Sequence, residues 1–121
     1  MTDQIIQTLA DALNGNQKAQ ENLQRLGKEE LIKVHDALAF DDDNSMEWLH
    51  EYGHDDWALF ITAVDGDPYA VQALFDGKKS RLAMCAGSVL GDQKAIDFLA
   101  KNGLKSWQNL AAAVKKLQSA E

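Results

Sequence analysis

At 121 residues, with 45% hydrophobic and 26% charged side chains, the chain fits a single domain spanning 1–121, long enough to remove roughly two-thirds of its unfolded surface from water. Its longest apolar runs fall far short of a bilayer span, and residues 1–14 lack the basic start and long apolar segment of a secretory signal, so a cytoplasmic protein with no membrane partner is expected. The net charge is −7, and the single cysteine excludes an intramolecular disulfide.

Residues 2–14 carry Ile6, Leu9 and Leu13 at helical spacing. A pattern then repeats about every 25 residues, beginning at Gly15-Asn16, Asp41-Asp42, Gly66-Asp67 and Gly91-Asp92. Each unit has a small residue four before a leucine: Ala19 and Leu23, Ser45 and Leu49, Ala70 and Leu74, Ala95 and Leu99. A large apolar residue follows eight later, namely Leu31, Trp57, Leu82 or Trp107. Steps of three and four continue within each half-unit, as in Leu82, Cys85, Ala86 and Val89, so each unit holds two helices.

The punctuation agrees with that reading. Asn16, Asp42 or Asp43, Asp67 and Asp92 can cap the first helix of each unit, and Pro68 suits a first helical position. Gly27, Gly53, Gly77 and Gly103 mark the turn into the second helix, with Gly77 one residue early. The small residues Ala19, Ser45, Ala70 and Ala95 predict a layer of close helix approach. Cys85 shares an apolar column with Val34, Phe60 and Leu110 and is expected in the core. His35 aligns with Ile61 and Ala86. Residues 2–14 match the second helix of a unit and are expected to cap the stack. Leu104 to Glu121 keeps Trp107, Leu110 and Val114 in register and forms the other end.

Val64-Asp-Gly-Asp-Pro-Tyr-Ala-Val-Gln-Ala-Leu74 and Val89-Leu-Gly-Asp-Gln-Lys-Ala-Ile-Asp-Phe-Leu-Ala-Lys-Asn-Gly103 resemble the helical half of ankyrin repeats and, equally, short HEAT-type repeats. That resemblance implies an all-α fold: a right-handed α-solenoid of about four helical hairpins plus an N-terminal capping helix, a shape generally used to bind other macromolecules.

Charge is unevenly distributed. Between Lys33 and Lys78 there is no lysine or arginine, while Asp36, Asp41, Asp42, Asp43, Glu47, Glu51, Asp55, Asp56, Asp65, Asp67 and Asp76 all lie there. Such a field steers a basic partner and repels nucleic acid. Helix capping accounts for some of these acids but not for the absence of every base. Trp48 falls in a mixed column with Asn22, Ala73 and Phe98, at the edge of the first-helix layer, where an aromatic suits an interface. The expected partner-binding residues are therefore Asp42, Asp43, Glu47, Trp48, Glu51, Asp55 and Asp56, the partner a protein with a basic surface, and no nucleic acid.

His50-Glu51-Tyr52-Gly53-His54 opens an alternative, because it matches the His-Glu-x-x-His pattern of zinc hydrolases, whose two histidines share one helical face. The repeat places Gly53 at a turn, which would put His50 and His54 on different helices. Asp41 to Ser45 lacks the spacing of a calcium loop and reads as a cap. The leading expectation is a non-catalytic binding module of the adaptor, inhibitor or immunity type, without cofactor, metal or catalytic residue. A zinc-dependent hydrolase is the first alternative and a structural, self-assembling solenoid the second.

Overall fold

A computed structural model describes residues 2–119; of the C-terminal segment expected to run from Leu104, Ala120 and Glu121 lie outside the described residues. Nine helices account for the periodic segments among those residues: α1 Asp3–Leu13, α2 Gln17–Arg25, α3 Glu29–Phe40, α4 Asp43–Glu51, α5 Asp55–Val64, α6 Pro68–Asp76, α7 Ser80–Val89, α8 Gln93–Lys101 and α9 Lys105–Ser119. No helix among them is long and apolar enough to cross a membrane.

The capping residues act as their chemistry predicts. Asn16 accepts from the Ala19 N–H, Asp42 from Asn44, Asp67 from Tyr69 and Asp92 from Lys94, each at 2.9–3.0 Å. Each such cap stabilises its helix start by about 1 kcal/mol. At the second unit the capping residue is Asp42, not Asp43, which is the first helical residue. Pro68 occupies the start of α6.

Two non-glycine residues take left-handed backbone angles where other units have glycine. Asp41, with φ 55°, ends α3, and Lys78, with φ 62°, sits between α6 and α7. Gly77 itself is right-handed, φ −81°. The early glycine of the third unit therefore shifts the left-handed position onto a lysine.

The repeated columns are buried. Leu23, Leu49, Leu74 and Leu99 are in the core with Val34, Phe60, Cys85 and Leu110, as are the small residues Ala19, Ser45, Ala70 and Ala95. Small size matters most at α7 and α8, where a Cβ on Gly87 would stand 2.9 Å from the Ala95 Cβ. Trp57 and Trp107 are core residues as well. Cys85 is fully enclosed, its Sγ 3.5 Å from the Trp107 carbonyl oxygen, and burial pushes its thiol far above the ordinary range.

Helices α1, α3, α5, α7 and α9 form an inner layer, each packed on the next, and each even-numbered helix packs outside between its two chain neighbours. An open stack would keep α1 and α9 apart at opposite ends. Among the described residues they instead share the most extensive helix contact, so the inner layer closes on itself and α1 does not cap a free end. The Asn109 side-chain amide donates to Gln7 Oε1 at 2.7 Å, and Leu13 shares a recess with Ala113 and Leu117. Helices α1 and α9 thus run in the same direction.

The inner helices α5, α7 and α9 start at one end of the molecule, where Trp57, Leu82 and Trp107 meet, with the start of α3 beside that of α5 through Glu30 and His54, and α3, α5 and α9 finish at the other, where Phe40, Ile61 and Val114 meet.

Candidate functional site

Helix α4 and the start of α5 carry all seven expected partner-binding residues, and the structure divides them into two groups. Asp43, Glu47 and Glu51 stand four residues apart on α4, one exposed stripe along the helix. None of the three side chains has an ion-pair or hydrogen-bond partner among the described residues. Like charges at this spacing destabilise a helix by roughly 0.2–0.5 kcal/mol per pair.

The other acids are engaged locally. Asp42 Oδ1 accepts the Asn44 N–H, and its Oδ2 accepts the Ser45 hydroxyl at 2.9 Å. Asp55 pairs with His50 Nδ1 at 3.1 Å. Asp56 accepts the Trp57 N–H through Oδ1, and its Oδ2 lies 4.0 Å from Lys79 Nζ. The eleven acids between Lys33 and Lys78 do not form one face: Asp36 holds His35, Asp67 caps α6, Asp76 accepts from Gln72, and Asp41 and Asp65 line a recess at the far end of the inner helices. Bases also return in space to a window that lacks them in sequence, Lys33 to Trp48 and Lys79 to Asp56.

Beside the acidic stripe lies an aromatic group. Tyr52 stacks on Trp48 with ring centroids 4.6 Å apart, and the His54 imidazole stacks on Trp48 at 5.5 Å and 3° between planes. Lys33 Nζ sits 5.9 Å from the Trp48 ring, at the limit of cation–π distance. The spacing of Trp48 and Tyr52, one turn apart on α4, is a signal readable in the sequence. The approach of His54 and Lys33 depends on how α3, α4 and α5 pack.

Helix α4 ends at Glu51 and α5 starts at Asp55, with Gly53 left-handed at φ 80° between them. The two histidines of the His-Glu-x-x-His match therefore do not share a helical face. His50 turns to Asp55, while His54 turns to the Trp48 ring and approaches Glu30 Oε2 at 4.0 Å. Among the described residues no group of three or more His, Cys, Asp or Glu side chains is placed to hold a metal ion. His35 is buried beside Asp36, its ring edge-on to Phe40.

Comparison with protein-family models, with curated proteins and with solved structures finds no match.

Proposed function

We propose that this protein is a non-catalytic binding module that uses α4 and the α4–α5 turn to engage a basic surface on another protein. The observation that carries the reading is the exposed Asp43, Glu47 and Glu51 stripe, without an ion-pair partner among the described residues, beside the Trp48, Tyr52 and His54 stack. Asp43 in the first turn suits the helix dipole, but Glu47 and Glu51 repel along the helix and Glu51 stands at its negative end, so folding alone does not account for the row. An amphipathic aromatic next to a one-signed charge field supplies both halves of protein recognition: an anchor that limits dissociation and a field that speeds encounter.

In this reading the helical hairpins are a scaffold of the solenoid kind, with the inner layer curved until its ends meet. The binding surface is then the outer face of α4, not a concave groove. The hydrolase alternative needs His50 and His54 on one face, and the helix break at Gly53 weighs against it.

The test is capture on immobilised protein, followed by association kinetics with the captured partner. Reversing Asp43, Glu47 and Glu51 to lysine should slow association and flatten its salt dependence, since the field is screened over about 10 Å at 0.1 M salt. Trp48→Ala should speed dissociation by about tenfold or more. A partner whose binding is indifferent to salt and to both changes would remove this face from consideration.

A further inference from the structure

The three histidines differ in how their rings are held. His35 Nδ1 lies 3.0 Å from Asp36 Oδ1 and His50 Nδ1 lies 3.1 Å from Asp55 Oδ1, each within hydrogen-bond distance of a carboxylate close in sequence. His54 is arranged otherwise. Its backbone is pinned on both sides, the N–H donating to the Leu49 carbonyl at 2.8 Å and the carbonyl accepting from the Ala58 N–H at 3.2 Å, yet its side chain caps nothing on α5. The imidazole lies parallel to the Trp48 ring, and its Nε2 stops 4.0 Å from Glu30 Oε2, too far for a hydrogen bond and close enough for an ion pair.

The charged groups around this ring come from three helices. From α3 it meets Glu30, while Lys33, one turn further on, pairs with Glu29 at 3.6 Å and reaches the Trp48 ring at 5.9 Å. From α4 it meets Trp48, itself stacked on Tyr52. On α5, Asp55 and Asp56 follow in the first turn, but Asp55 is engaged by His50 and Asp56 by Lys79. Among the described residues Glu30 is therefore the carboxylate that His54 faces. A neutral imidazole in this place makes neither an ion pair nor a cation–π contact, and a protonated one makes both. The carboxylate and the π face are in position before the charge arrives.

We propose that His54 is a proton switch on the α4–α5 surface. On taking up a proton, Nε2–H closes on Glu30 and the ring becomes a second cation against Trp48, in competition with Lys33. The surface three residues beyond Glu51 then gains positive charge, and the π face of Trp48 is claimed from within the protein. Histidine is the side chain that changes charge between about pH 5 and 8, so a basic partner held at neutral pH is released as the pH falls. This consequence for the partner rests on the binding-module reading; the protonation and its effect on the Trp48 stack do not.

The test uses the free protein first, then oligolysine as the basic probe. An imidazolium stacked on an indole quenches its emission more strongly than the neutral ring, so tryptophan emission followed from about pH 8 to 5 should fall in one reversible step. The step should be absent from His54→Gln and from Trp48→Phe and retained in His50→Gln, with helicity intact by circular dichroism in all three. Oligolysine binding at low salt should weaken toward the acid end by about two- to fivefold more in the wild-type protein than in His54→Gln, the range of a surface charge pair. Absence of the emission step, or its persistence in His54→Gln, overturns the switch. Equal weakening of oligolysine binding in the two proteins overturns its effect on a partner. Failure of oligolysine to bind even at about pH 8, with the emission step intact, overturns the binding-module reading and leaves His54 as the proton site of the Trp48 stack.

Discussion

The Asn109 side-chain amide donates to Gln7 Oε1 at 2.7 Å across 102 residues of sequence, joining the last helix to the first. Most side-chain hydrogen bonds among the described residues span a few residues along one helix or turn; this one, like that from Gln118 Nε2 to the Val64 carbonyl, ties the last helix to a distant part of the chain. Closure should make unfolding cooperative. Ile6→Ala, at a fully buried site on α1, should destabilise the whole molecule by about 2–5 kcal/mol in urea melts. Far-ultraviolet circular dichroism and tryptophan fluorescence should give coincident transitions; loss of α1 alone, with the rest intact, would contradict the closed arrangement.

Leu74 is 1% exposed in the repeated leucine column. Leu74→Ala should lower stability by about 2–5 kcal/mol, measured by the same melts. An effect below about half a kcal/mol would show that the column does not pack as described.

Lys78→Gly should raise stability. A non-glycine residue with left-handed angles is disfavoured by about 1–2 kcal/mol, and glycine removes most of that strain at the expense of a looser unfolded chain. A net gain of about 0.5–1 kcal/mol is expected in thermal or urea unfolding. The reverse experiment is Gly53→Ala, where φ is 80°; it should destabilise by about 1 kcal/mol, although a Cβ there meets nothing within 4 Å.

Cys85 gives a pH signature. Burial raises the native thiol above its unfolded value, so the folded protein keeps the neutral form while the unfolded chain ionises near pH 8.5. The contribution to stability is therefore complete below that pH and declines as pH rises above it. Between pH 8 and 10 the native protein should lose about 1–2 kcal/mol more than Cys85→Ala does over the same range. A thiol reagent should react only on unfolding, and rapid labelling of the native protein at pH 8 would contradict the enclosure of Cys85.

Much of the helical organisation was legible because its causes are local. Asn16, Asp67 and Asp92 cap helices from fixed places in each unit, and Leu23, Leu49, Leu74 and Leu99 bury at fixed distances from them. The pairing of α1 with α9 was not legible, since a periodic pattern defines the unit and its neighbour contact but not the curvature that accumulates over several units. The acidic window misled in a similar way. Asp41 and Asp65 lie in a recess at the far end of the inner helices from Asp56, which lines the cleft where those helices begin, so adjacency in sequence was not adjacency on the surface. Trp48 and Tyr52 can be paired from their spacing of one helical turn, whereas the approach of His54 and Lys33 to the Trp48 ring depends on how α3, α4 and α5 pack.

The contact of α1 with α9 also fixes how many units this architecture can hold. An open array tolerates duplication or loss of a hairpin, because each new unit meets the same neighbour surface as the old one. Here five inner helices meet around a filled centre. Adding or removing an inner helix would change the space that these side chains fill, and a core at native density tolerates neither a void nor overpacking. Duplicating or deleting one helical hairpin should therefore cost this protein its cooperative fold, where an open array would tolerate the change.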